Sequence, residues 1–271
     1  MERDRKRPRP YKNKTTLTVY LILRGLIILA MIRAIFRQEY QNVFLCALSL
    51  ILLVMPSVVA RKLEIMLPST LEIIILLFVF AAEILGELNS FYVRVPHWDT
   101  MLHTINGFLC AAIGFALVDM LNRNDRFSFQ LSPAYLALVA FCFSMTVGVL
   151  WEFFEFGGDC LLGLDMQKDT VVNAINSVNL DPTMTNTVVR IKDITDVILV
   201  HSDGSQEALG LGGYLDIGLH DTMKDLFVNF IGAAAFSVIG FFFVKGKGRS
   251  KVASRFIPQV VSPEEGTDAV Q

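Results

Sequence analysis

Residues 134–156 read AYLALVAFCFSMTVGVLWEFFEF. No charge interrupts the run from Ala134 to Leu150, and the stretch meets the roughly 20 residues that a helix needs to cross a hydrocarbon core. Its end nevertheless carries Glu152 and Glu155 among aromatic rings, with Asp159 just past the Gly157-Gly158 pair. A carboxylate in such surroundings is costly unless a partner, a metal, water or the edge of the membrane compensates it. The stretch reads as a membrane-spanning helix that stops at a glycine break, and its acids need an explanation.

The rest of the chain follows the same rule. Of 271 residues 53% are hydrophobic, 21 of them Phe, and mean hydropathy is positive, which sets the chain apart from soluble domains. Six apolar runs of near-spanning length lie at about 16–36, 42–60, 70–88, 100–120, 134–156 and 222–244. The fold class expected is an all-α polytopic membrane protein of about six transmembrane helices, with a small outward-facing loop element between the last two. The basic start MERDRKRPRPYKNK leads into a run too long for a signal-peptide core, and no small-residue cleavage site follows. Residues 1–15 therefore read as a basic cytoplasmic tail and the first helix as uncleaved. Lys and Arg set the orientation: with the N-terminus inside, sixteen fall on inner segments and six on outer ones, although the outer side carries the longest loop. Both termini are expected in the cytoplasm. The basic runs are explained by that orientation and point to no nucleic acid.

Between the last two spans lies the one sizeable non-membrane segment, 157–220. Within it 187–194 and 196–201 read as short strands, with Asp203-Gly204 as a turn signal after them, so a small β-hairpin is expected. Gly210-Leu211-Gly212-Gly213 lacks the strand-to-helix context and the Lys of a phosphate loop, and reads as a return into the sixth helix. Cys46, Cys110 and Cys142 fall in apolar spans and Cys160 in the loop, so no disulfide framework is implied. Residues 245–271 read as a second cytoplasmic tail whose end, SPEEGTDAVQ, has a disordered composition.

Placed on this topology, the polar residues of the spans gather at one rim. Helix four opens at HWDTMLHTING, where Asp99, His103 and Asn106 share a stripe, and helix five ends with Glu152, Glu155 and Asp159 on one face. Helix six opens at HDTMKDLFVNFIG, repeating Asp221, Asp225 and Asn229 every four residues, and helix three ends with Glu83 and Glu87 four apart. Spans three and five run outward and spans four and six inward, so all four clusters belong to the outer leaflet. From Asp221 to Asn229 the depth is about 12 Å at helical rise.

Each cluster has a plainer reading as well. Asp99 and Asp221 suit helix N-caps, and His97 and His220 suit the interface. Glu152 and Glu155 suit carboxylates protruding into headgroups, and Trp151 with its neighbouring Phe suits an aromatic belt. Arg24, inside helix one, suits an ion pair with an acid or an anionic headgroup. Asp225 and His103 lie one turn deeper, where capping does not explain them and an ionisable residue is by default functional.

Several carboxylates around one imidazole would repel one another and stay partly protonated unless a cation joined them. Carboxylate and imidazole without thiolate suit a divalent Mn, Fe, Zn, Mg or Ca ion, while the Glu-x-x-His pair of di-iron bundles is absent. The candidate metal ligands are Asp99, His103, Glu152, Glu155, Asp221 and Asp225. Glu83, Glu87, Asn106, Asp159, Asn229 and Arg24 are further polar members, and no residue is assigned a catalytic role. A transport path would need polar groups continuing to the inner face, where Glu72, Asp119 and Ser237 are the main ones and Asp119 is near enough to the interface to be wet. A one-sided binding or catalytic site therefore leads, a cation- or proton-coupled transporter comes second, and a scaffold whose polar groups only join helices comes third.

Asp99-x-x-x-His103, Trp151-Glu152-x-x-Glu155-Phe156, Gly163-Leu164-Asp165-Met166-Gln167 and the run GLHDTMKDL from Gly218 to Leu226 together resemble the YjdF-like family of uncharacterised bacterial inner-membrane proteins. A weaker similarity is to VanZ-like membrane proteins. The resemblance covers about 70–244 and leaves out the tails and an insertion within 170–207. It implies a bacterial plasma-membrane protein with about six spans and implies no activity. The combined expectation is an outward-facing acidic metal site that acts on, or binds, a lipid or cell-envelope precursor from the bilayer. Small residues at 232–235 permit close helix packing within one chain or between two, so the oligomeric state stays open.

Overall fold

The structure, a computed structural model, describes residues 13–62, 65–122 and 131–260. The basic start up to residue 12, the loop with Arg123 and Arg126, and the SPEEGTDAVQ end lie outside the described residues. In chain order the helices are α1 (Lys14–Phe36), α2 (Tyr40–Leu52), α3 (Met55–Lys62), α4 (Ser69–Phe80), α5 (Phe91–Arg94), α6 (Trp98–Asn122), α7 (Pro133–Leu162) and α8 (Leu219–Lys245). Among the described residues five stretches, α1, α2 with α3, α6, α7 and α8, are long and apolar enough to cross a membrane. The junction of α2 and α3 lies beside Pro56, which has no N–H to continue the α2 ladder.

Three local expectations change. The run at 70–88 is helical throughout but switches type, α4 passing at Ala81 into an eight-residue π-helix, Ala81–Leu88. Gly86 there lies so close to Tyr92 that a Cβ would sit 2.4 Å from the ring, and Asn89 ends the element by donating to the Ile84 carbonyl at 2.6 Å. The helix expected to stop at Gly157-Gly158 runs through both glycines to Leu162. It ends at Gly163, whose φ of +64° suits a residue without Cβ. Asp99 and Asp221 are not N-caps, because α6 starts at Trp98 and α8 at Leu219, which puts both acids inside the first turn.

The chain divides into two compact units, Met1–Gly148 with Leu226–Gln271, and Val149–Asp225; the division passes through α7 and α8, each a single continuous helix. In the first unit α6 is the most enclosed span, with 56% of its apolar window buried against 22% for α1. Leu109, Phe115, Leu136 and Phe236 form one buried cluster, joined by Ala253 and Ile257 from beyond α8. Tyr20, Ile27, Cys46 and Leu76 form another. In a bilayer such clusters are held by close packing more than by expulsion of water, which puts a premium on small residues. A Cβ on Gly107 of α6 would lie 2.2 Å from the Asn229 carbonyl oxygen of α8, and one on Gly232 of α8 would lie 2.0 Å from that of Thr104. The segment after α8 is docked as well: Gln259–Val260 pairs antiparallel with Ile65–Met66.

The second unit carries three short antiparallel pairs: Val171–Val172 with Tyr214–Leu215, Ile175–Ser177 with Val189–Ile191, and Ile198–Val200 with Gln206–Ala208. Both strands expected from the sequence exist, but each takes its own partner. The hairpin forms around Asp203-Gly204, with Gly204 donating to the His201 carbonyl at 2.9 Å.

Candidate functional site

In the first unit the candidates come from α6 and the body of α8. His103 is buried, and its Nε2 lies 3.4 Å from Asp99 Oδ1, one turn earlier. Asn106 is turned to its own helix, where its Oδ1 meets Cys110 Sγ at 3.5 Å. One turn past His103, Gly107 presses on the backbone of Asn229. Asn229 is 1% exposed; its Nδ2 reaches the Ser144 carbonyl at 3.5 Å and Met145 Sδ at 3.6 Å, while its Oδ1 accepts no hydrogen bond among the described residues. Ser144 Oγ donates to the Gly107 carbonyl at 2.7 Å, both groups buried. Ser144 is absent from the sequence candidates; a hydroxyl isolated in an apolar span is the signal that marks such interhelical ties. Glu83 is half-buried and Glu87 exposed, both on the π-helix. Arg24 is exposed on α1 and donates to the Tyr20 hydroxyl at 2.7 Å, a phenol of its own helix.

In the second unit the end of α7 is two-sided. Glu152 and Glu155 are buried, whereas Phe153, Phe154 and Phe156 are exposed, so the rings face outward and the acids inward. Trp151 Nε1 donates to Glu155 Oε1 at 2.7 Å, so a ring read as belt alone also orients an acid; their spacing of four is the sequence signal. Asp159 and Asp221 act on backbone. Asp159 accepts the N–H groups of Met166 at 2.6 Å and Gln167 at 2.9 Å. Asp221 accepts the N–H of Lys168 at 2.9 Å through Oδ2 and the Lys224 ammonium at 2.8 Å through Oδ1. Gln167 Nε2 donates to Thr222 Oγ1 at 2.6 Å. The Gly163–Gln167 motif and the motif that opens α8 are thus two halves of one clasp.

Asp216, outside every sequence candidate, holds the start of α8. It accepts the N–H groups of Thr170 at 2.7 Å and His220 at 2.9 Å and also meets the His220 imidazole. Burial works to raise its pKa, but these donors outweigh it and hold the carboxyl below its usual range. Nearby Asp169 is pushed up, first by burial and then by the carboxylates of Asp165, Asp216 and Asp159. Asp225 is 1% exposed, and the Lys224 ammonium, 2.8 Å from Asp221 Oδ1, stands 3.8 Å from its Oδ1.

Comparison with known proteins places the chain. The family described as predicted membrane protein (DUF2238), the one that the helix-end motifs resemble, matches residues 19–246. An uncharacterized protein of Thermotoga maritima is 29% identical over 116 residues, 40% of this chain and 56% of that relative, so the chain spans little more than half the length of the relative it matches. The matches lend no support to a likeness to VanZ-like proteins. No solved structure gives a significant match.

Proposed function

We propose that this chain, which belongs to the DUF2238 family of predicted membrane proteins, binds a divalent cation through Asp99, His103, Glu152, Glu155 and Asp225 and uses it on a lipid or cell-envelope precursor. The reading puts the site in the outer leaflet of a bacterial plasma membrane with both termini in the cytoplasm, on the strength of the Lys and Arg distribution.

The observation that carries it is burial. His103 and Glu155 are 8% exposed, Glu152 4% and Asp225 1%, the first and last of these residues in the opening two turns of α6 and α8 and the two glutamates in the second half of α7, all on helices of spanning length. Carboxylates so enclosed must be protonated or balanced by a cation. A doubly charged ion would balance two such carboxylates at once. Both Asp221 oxygens already have donors, so its role in this reading is to tether the loop. A bound ion would polarise a phosphoryl or carbonyl oxygen or activate water. Glu155, oriented by Trp151, is the carboxylate that would take a proton from an attacking water as general base if it is left out of the ligand set.

Elemental mass spectrometry of the detergent-purified protein tests this beside Glu155→Ala and Asp225→Ala. About one or two ions per chain, lost in both variants while the fold survives, is the expected result. No metal after reconstitution, with both variants indistinguishable from the parent, rules it out.

One observation favours a second reading, cation- or proton-coupled transport. Glu72 in the first turn of α4, Asp119 near the end of α6 and Ser237 in the second half of α8 are also buried at 9%, 7% and 7% exposure, and Asp119 is not the wet interfacial acid expected. Transport needs polar groups beyond a single rim. Counterflow in proteoliposomes that vanishes in Asp225→Asn would support this reading, and its absence in the parent protein would exclude it.

A further inference from the structure

We infer that Asn229 Oδ1 is a neutral oxygen ligand on the His103 side of the cation site, biasing it toward hard, oxygen-seeking ions such as Mn2+, Mg2+ or Ca2+ over Zn2+. The inference rests on the cation reading above and adds a ligand and a selectivity to it.

Asn229 lies within an apolar span at 1% exposure, where an amide is costly unless both its ends are satisfied. Its Nδ2 has two long contacts and its Oδ1 accepts nothing among the described residues. Turning the amide over would set Oδ1 against the Ser144 carbonyl, acceptor against acceptor, so the network fixes the orientation. Joining helices is a poor explanation for this side chain. At 3.5 Å its bond to Ser144 is at the limit of hydrogen bonding, whereas the Ser144 hydroxyl already ties α7 to α6 at 2.7 Å.

The surroundings are shaped to admit the amide. A Cβ on Gly148 would lie 2.7 Å from Asn229 Nδ2, so α7 keeps a glycine where any larger residue would displace it. Side chains on a helix lean toward its N-terminus, which directs Asn229 back along α8. On α6 the turn above its contact carries His103. An unpaired carboxamide oxygen in that position suits a ligand that brings positive charge or donors.

The chemistry then sets a preference. Asn carbonyl oxygens are regular members of hard-cation sites, whereas Zn2+ sites favour imidazole, thiolate and few ligands. A neutral oxygen raises the ligand number without adding to the repulsion among the carboxylates.

The test uses the full-length protein in detergent, Mn2+ titration followed by electron paramagnetic resonance, and Zn2+ by competition. Asn229→Leu removes the oxygen at similar size, Asn229→Asp keeps an oxygen and adds charge, and Ser144→Ala breaks the interhelical bond without touching Oδ1. The expected result is Mn2+ affinity at least about tenfold lower in Asn229→Leu, the scale on which even outer-shell partners of a metal act, with Zn2+ affected less. Mn2+ should bind more tightly to Asn229→Asp and as in the parent to Ser144→Ala. Parent-like Mn2+ binding by both Asn229 variants overturns the inference and leaves the cation reading standing. A folded parent protein that binds neither ion overturns both. Should Asn229→Leu fail to fold, Asn229→Asp decides alone, and binding no tighter than the parent overturns the inference.

Discussion

Alanine at Gly107 would force α6 and α8 apart. Its Cβ would lie 2.2 Å from the Asn229 carbonyl oxygen and 2.9 Å from the carbonyl carbon. Ordinary contact begins near 3.4 Å, so the crossing must open by about 1.2 Å, and the obstacle is helix backbone that cannot swing aside. Overpacking of this kind costs about 1–3 kcal/mol, with a backbone clash at the upper end. Alanine recovers about 1 kcal/mol of helix preference over glycine, leaving a net loss of about 2 kcal/mol. For a chain of this size that lowers the melting point by roughly 4–8 °C. Gly25→Ala is the control, because nothing lies within 4 Å of a Cβ there and only the helix preference changes. Both variants would be melted in one detergent and followed by Trp fluorescence. The reasoning is refuted if Gly107→Ala melts together with Gly25→Ala. The same opening carries the His103 turn away from α8, so cation affinity should fall in Gly107→Ala alone.

Asp216→Ala should cost about 0.5–2 kcal/mol, as loss of a helix-start acceptor does, and should raise hydrogen exchange at the Thr170 and His220 amides; unchanged exchange there contradicts the role. Asp181 gives a pH signature. The Thr183 hydroxyl and N–H, with the N–H groups of Thr187 and Thr185, hold its carboxyl far below the usual range. A lowered folded pKa means that the stabilisation is complete above the ordinary carboxylate value of about 4 and is lost as pH falls through the folded one. Exchange at the Thr183, Thr185 and Thr187 amides should stay protected to about pH 4 and rise only in stronger acid. Protection that fades between about pH 7 and 5, where the free carboxyl is still ionised, would contradict the assignment.

The spans were the legible part of the fold, because hydropathy over about 20 residues is a local quantity and α1, α6, α7 and α8 each satisfy it without help from elsewhere. What the sequence hid depends on distant contacts. Gly157 and Gly158 look like a stop, yet two helix-unfriendly residues are a small cost within a 30-residue helix whose Gly158 packs on Met166. The π-helix at Ala81–Leu88 leaves hydropathy unchanged, and its close partner, Tyr92 against Gly86, is visible only in the fold. Val189–Ile191 and Ile198–Val200 could be recognised as strands, but which strand pairs with which is a nonlocal choice.

The polar candidates divide along the same line. Spacing marked Asp159, Asp221, Glu152 and Asp225 alike, since a helix face shows where an acid lies but not what it meets. The fold turns the first two to backbone N–H groups of 166–168 and leaves Glu152 and Asp225 deeply buried. Ser144 and Asp216 escaped notice because a single hydroxyl and a loop carboxylate become informative only once Gly107 and the start of α8 stand beside them.

X-ray absorption at the metal edge of the Mn2+- or Zn2+-loaded protein tests most directly whether these helix ends hold a cation. Oxygen ligands with one imidazole, whose scattering signature disappears in His103→Ala, is the expected spectrum. A bound ion surrounded by oxygen alone, or an imidazole signature that survives His103→Ala, would place the metal elsewhere and leave the buried acids to be explained by protonation.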